Sequence, residues 1–258
     1  MSSEIVHRLS PEEEELAAKR DELAQLEAQL ADEELALASL KAELAAFEGV
    51  YLRRIGVLYS ELDDWNARLA ELRAERAETP EARSEAAQAR AQANQSYSAA
   101  HGEAAEVQPF APSPDLKKLF REAAKRVHPD TASDDADRTR RERLMKEVNA
   151  AYAAGDENAL RRILAGLDSS PDAVQGSGIG ADLIRVLRQL RLVKNRLAAI
   201  DLELAVLAET DIALLKAKAD IADSQGMDLL AEMEADVKTR ISTVRQMYEK
   251  TEAGKVLA

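Results

Sequence analysis

The apolar residues of the first third recur at heptad spacing. Leu16, Leu23, Leu26, Leu30, Leu37, Leu40, Leu44, Phe47 and Tyr51 form one seam with a single polar slip at Glu33. A seam this narrow commits the chain to a long helix, and that helix is stable only if it buries the seam against another helix. Pro11 followed by four glutamates marks its start, because acidic groups suit the N-terminal end of the helix dipole. Between Tyr51 and Ile55 the phase jumps by four. It resumes at Ile55, Leu58, Leu62, Trp65, Leu69 and Leu72. A jump of four is a stutter, which unwinds a supercoil locally without breaking the helix. Run from Pro11 to Arg76, such a helix would be about 100 Å long.

Thr79-Pro80 interrupts the pattern. Glu81 to Ala100 is rich in Ala, Gln and Arg. It favours helix by propensity but offers little to bury. Three prolines from Pro109 on mark residues 101–114 as a linker, and 168–180, with Pro171 and three glycines, as a second. Beyond it a second heptad-like seam runs through Leu183, Leu187, Leu190, Val193, Leu197, Ile200, Leu204 and Leu207. After a candidate break at Ser224-Gln225-Gly226, a third runs through Leu230, Met233, Val237, Ile241 and Val244. The expected fold is all-α. Its segments are a long N-terminal helix (1–100), a linker (101–114), a helical hairpin (115–167), a linker (168–180) and a C-terminal helical pair (181–258). The flanking helices are either a bundle within one chain or a coiled-coil homodimer.

Composition narrows the chemistry. The 258 residues include no cysteine, which excludes disulfides, thiolate catalysis and cysteine metal sites. His7, His101 and His128 are too scattered for a ligand cluster. There is no phosphate-binding glycine loop and no supported carboxylate pair, so no enzyme, metal or cofactor is expected. The N-terminus lacks a signal-like apolar core, and no run reaches membrane-spanning length, so a cytoplasmic protein is expected. Net charge is −13, but unevenly spread: residues 1–107 carry 11 basic and 23 acidic groups, whereas residues 108–167 carry 12 and 10. Nucleic-acid binding by the acidic helices is disfavoured.

The basic island centres on residues 115–130. Leu116, Leu119, Phe120, Ala123, Ala124 and Val127 form one helical stripe. Lys117, Lys118, Arg121, Lys125 and Arg126 fall on the other side. Ser113 or Asp115 caps the start. Pro129 ends the helix by removing a donor and forcing His128 out of the helical region. A polar loop follows, then a second helix whose apolar face is Leu144, Val148, Ala151 and Tyr152, broken at Gly155 or Asp156.

This stretch resembles the J domain of DnaJ-type co-chaperones. Leu116 to Val127 looks like the second helix of that family, His128-Pro129-Asp130 like its signature loop, and Lys146 to Tyr152 followed by Gly155-Asp156 like the end of its third helix. The short first helix of the family has no counterpart upstream, and Phe110 or a flanking long helix is expected to fill its place. The resemblance implies docking on a DnaK-type chaperone ATPase. Lys117, Lys118, Arg121, Lys125 and Arg126 would steer and dock, Phe120 would also touch the partner, and His128, Pro129 and Asp130 would trigger ATP hydrolysis. The helical flanks would choose an unknown client or oligomerise. The alternative reading is a structural coiled-coil adaptor whose J-like segment stimulates nothing.

Overall fold

A computed structural model describes residues 10–102, 110–132, 134–167 and 178–254, and these are helical with no strand among them. The elements are α1 (Pro11–Tyr51), a π-helical turn (Leu52–Gly56), α2 (Val57–Ala77), α3 (Pro80–His101), α4 (Pro114–Val127), a 3₁₀ turn (Pro129–Thr131), α5 (Asp135–Ala153), α6 (Glu157–Leu167), α7 (Ile179–Ala208), α8 (Asp211–Ser224) and α9 (Leu229–Ala253). The all-α class expected from the heptads is the class observed. The chain divides into two compact units, one of Met1–Glu43 with Phe110–Glu209 and one of Leu44–Pro109 with Thr210–Ala258. Compactness thus groups the chain differently from the five consecutive segments, because each seam finds its partner helix far along the sequence. Half of the first expected linker (103–109), most of the second (168–177) and the first nine residues lie outside the described residues.

In the first unit the seam of α1 is buried within the chain. Leu16, Leu23, Leu30 and Leu37 share a core with Val186, Leu190, Val193 and Ile200 of α7. The ion pairs Arg20–Asp182 (3.1 Å), Lys194–Glu22 (2.7 Å), Arg196–Glu34 (2.7 Å) and Lys41–Glu203 (3.0 Å) advance together along both helices, so the pair is parallel. α1 buries a second face too. Leu35 lies about 200° round from Leu37 at 3.6 residues per turn. With Ala38, it joins the core of α4, α5 and α6: Leu116, Phe120, Ala123, Ala124, Val127, Met145, Val148, Ala151, Tyr152, Leu160 and Leu164. Phe110 closes that core edge-on to Tyr152, with ring centroids 5.4 Å apart. Phe110 and the Leu35–Ala38 face of α1 therefore both pack against the α4–α6 core.

In the second unit the phase jump has a structural counterpart. The backbone stays right-handed through the π turn, and Ile55 within it is fully buried. Such turns absorb extra residues without ending a helix. A Cβ built on Gly56 would lie 3.1 Å from Leu52 Cδ2 of its own turn, and at ordinary contact distance, 3.9 Å, from Ala100 Cβ of α3. Glu78 turns left-handed (φ 52°), and the Thr79 side chain accepts from the Ala82 amide to start α3. α3 does have something to bury: Ala86 and Ala93 sink against α2, while Arg90 donates to Glu71 (2.8 Å) and Asp64 (2.7 Å). α9 runs parallel to α2 on Leu62, Val237 and Ile241, with Trp65 edge-on to Tyr248. The expected C-terminal pair is three helices. The chain also breaks at Glu209-Thr210, where Thr210 caps α8 by accepting from the Ala213 amide, and Gly226 (φ 76°) separates α8 from α9.

Candidate functional site

α4 forms as its sequence dictates. The Ser113 hydroxyl accepts from the Leu116 amide (3.0 Å) and donates to Glu157 of α6 (2.6 Å), which ties the helix start into the core. Pro114 occupies the first turn, where no amide is needed. In the stripe Leu116, Phe120, Ala123, Ala124 and Val127 are buried and Leu119 is half-buried. Pro129 ends the helix as expected, with His128 extended (φ −61°, ψ 127°). Asp134 then caps α5 by accepting from the Asp137 amide at 2.8 Å. Arg141 donates to the Arg126 carbonyl near the loop, and Tyr152, later in α5, packs tilted against Phe120, earlier in α4, so α4 and α5 are antiparallel.

The candidate residues separate into three groups. Lys118, Lys125 and Arg126 are exposed and Lys117 is half-exposed, which leaves a basic face on α4. Arg121, though also exposed, is paired with Asp32 of α1, and Arg126 lies 3.4 Å from Glu122. Phe120 is a correction. It is expected at a partner surface, but it is 0% exposed and packed on Tyr152 with centroids 4.7 Å apart, because its stripe position faces the core. Pro129 and Asp130 are half-buried, with Asp130 Oδ1 3.6 Å from Arg138.

His128 is the other departure. It is expected to meet a partner, yet it is 3% exposed. The Asp130 amide donates to its Nδ1 at 3.2 Å, which leaves the ring proton on Nε2, and Nε2–H faces Glu34 Oε1 of α1 at 3.2 Å. Glu34 is itself 5% exposed and also accepts from Arg196 Nε of α7 at 2.7 Å. The loop packs on α7 as well. Thr131 donates to the His128 carbonyl (2.8 Å), and Arg141 donates to the Thr131 hydroxyl (2.8 Å). Among the described residues no buried side-chain nitrogen or oxygen lacks a partner.

Glu27, Glu34, Arg196 and Arg141 were not singled out from sequence. Glu34 sits one place from the polar slip at Glu33, but its partners are 94 and 162 residues away. Burial raises the Glu34 carboxyl, yet hydrogen bonds from His128 and Arg196 outweigh it and hold the group below its ordinary 4.5. Burial pushes the nearby Glu27 carboxyl up, against the pull of Lys125 and Arg141. A depressed folded pKa contributes stability that is complete above the unfolded value and is lost as pH falls through the folded one. Acid melting followed by helicity should therefore show Glu34's contribution vanishing below about pH 4.5. Glu34→Gln should flatten that part of the profile, whereas Glu27 has the opposite sign and gains as pH falls. A Glu34→Gln profile superimposable on wild type would contradict the assignment. Truncating Glu34 strands the buried His128 donor, at a cost of about 1–3 kcal/mol.

Among the described residues no group of three or more His, Cys, Asp or Glu side chains could hold a metal, and no helix is long and apolar enough to cross a membrane. Comparisons with protein-family models, with curated proteins and with solved structures each return no match.

Proposed function

We propose that the chain is a J-domain-type co-chaperone. The basic face of α4 docks on an acidic surface of a DnaK-type ATPase, and the His128-Pro129-Asp130 loop then stimulates ATP hydrolysis. The observation that carries this reading is α4 itself. Its apolar stripe is spent on the core, while Lys117, Lys118, Lys125 and Arg126 stay outward in an otherwise acidic chain and lead straight to the loop. Charge complementarity of this kind raises the on-rate and sets register without high affinity. The chain itself catalyses nothing in this reading, and it works in the cytoplasm. Client choice or oligomerisation falls to the helical flanks, where α7 exposes Ile184, Leu187, Leu202 and Val206.

Single-turnover ATP hydrolysis by a DnaK-type chaperone tests it. The wild type should stimulate, and His128→Gln should not. Lys118→Glu with Lys125→Glu should slow association by about ten-fold or more, with the wild-type interaction weakening as salt rises. One observation favours a second reading, a coiled-coil adaptor with a silent J-like segment: His128 is covered by α1. Absence of stimulation by the wild type and by the Glu34 variants described below would decide for the adaptor.

A further inference from the structure

α1 presents acidic groups to two of the residues assigned to docking and to one assigned to the trigger. Asp32 pairs with Arg121, Glu34 accepts from His128, and Glu27 feels the charge of Lys125. Glu27 and Glu34 are seven residues apart, two turns along one face of the helix. Between them lies buried Ala31, and Leu35 and Ala38 continue onto the α4–α6 core. An acidic, partly apolar helix surface is thus laid against the basic helix and its loop. Arg196 of α7 holds Glu34 in place through Nε at 2.7 Å, and Arg196 is in turn held by Glu203 at 2.7 Å.

We propose that this strip of α1 is an internal competitor for the acidic partner. Glu34 latches His128 under the α1–α7 pair, and the loop meets a partner only after that latch opens. The competition rests on the co-chaperone reading, but the latch stands on geometry alone. Its physical basis is the pairing of two charge-assisted hydrogen bonds on one buried carboxylate. Such a group holds firmly while both donors are seated and loses its hold when either leaves. A partner that offers α4 a better acidic surface draws the basic residues away from Asp32 and Glu27 and weakens the latch by mass action.

The test reads His128 directly. Diethyl pyrocarbonate acylates accessible imidazoles, and exposed His101 of α3 serves as the internal reference. In the wild-type full chain, His128 should react about ten-fold or more slower than His101. In Glu34→Ala its rate should rise about ten- to a hundred-fold, as expected when charge-assisted bonds are lost, with Glu34→Gln intermediate. Hydrogen exchange at the Ala123 and Ala124 amides separates latch opening from unfolding. Their protection should stay near wild type. Equal rates for His128 and His101 in the wild type, an unchanged His128 rate in both variants, or α4 protection lost in step with the rise would overturn the latch. A parallel hydrolysis assay at subsaturating concentration separates the two ideas. Faster acylation with stronger stimulation, abolished by adding His128→Gln, supports both. Faster acylation with no stimulation keeps the latch and sinks the co-chaperone reading. Stimulation by the wild type with unchanged acylation keeps the co-chaperone and sinks the latch.

Discussion

Phe120→Ala should unfold the α4–α6 core. The ring is fully buried and sits 4.7 Å from that of Tyr152, which is edge-on to Phe110 in turn. Its removal forfeits the transfer energy of the ring and leaves a cavity that three helices and Leu35 of α1 cannot all collapse into. The expected cost is about 3–5 kcal/mol. Native-state hydrogen exchange of α4, α5 and α6 should accelerate by about two to four powers of ten, since about 1.4 kcal/mol is a factor of ten. Phe120→Leu keeps most of the volume and should cost about 1 kcal/mol. A solvent-facing docking residue would behave differently, losing partner binding with no change in exchange. Unchanged protection in Phe120→Ala would mean that the ring is not core.

Ile200→Asp should part α1 from α7. Ile200 is fully buried in their seam, one turn beyond Arg196 on the same helix. A carboxylate there has no listening partner in the apolar seam and costs about 4 kcal/mol or more, against about 0.5–1.5 kcal/mol for Ile200→Val. The consequence reaches the loop. Once α7 lifts, Arg196 leaves Glu34, and His128 should become as reactive towards acylation as it is in Glu34→Ala. Circular dichroism should show the loss of helicity and mass-resolved labelling the exposed histidine. If Ile200→Asp melts the seam yet His128 stays protected, α1 alone covers the loop and Arg196 is dispensable.

Both predictions concern residues whose types were legible and whose surroundings were not. Phe120 was readable as a stripe residue, and a stripe belongs to a core. The resemblance points it at a partner, whereas its 0% exposure sets the ring in the core, as the stripe implies. Ile200 was readable as a seam residue, but a heptad specifies only that some helix lies opposite. The packing of α3 is not legible in its sequence because alanines carry no periodic signal, although small side chains such as Ala86 and Ala93 are what let two helices approach closely.

By itself the sequence determined the local features. Helix starts at Pro11 and Pro114, the interruption at Thr79-Pro80, the stop at Pro129, the turn at Gly155 and the change of phase before Ile55 all follow from backbone stereochemistry and apolar spacing within a few residues. Tertiary structure alone decided which seam met which. α1 pairs in parallel with α7, uses its opposite face on α4 and α5, and brings Glu34 to His128 and Arg196. Those choices depend on shape and charge compared across all possible helix pairs. The three residues of the latch are 94 and 162 positions apart, and no local pattern of spacing encodes a contact at that separation.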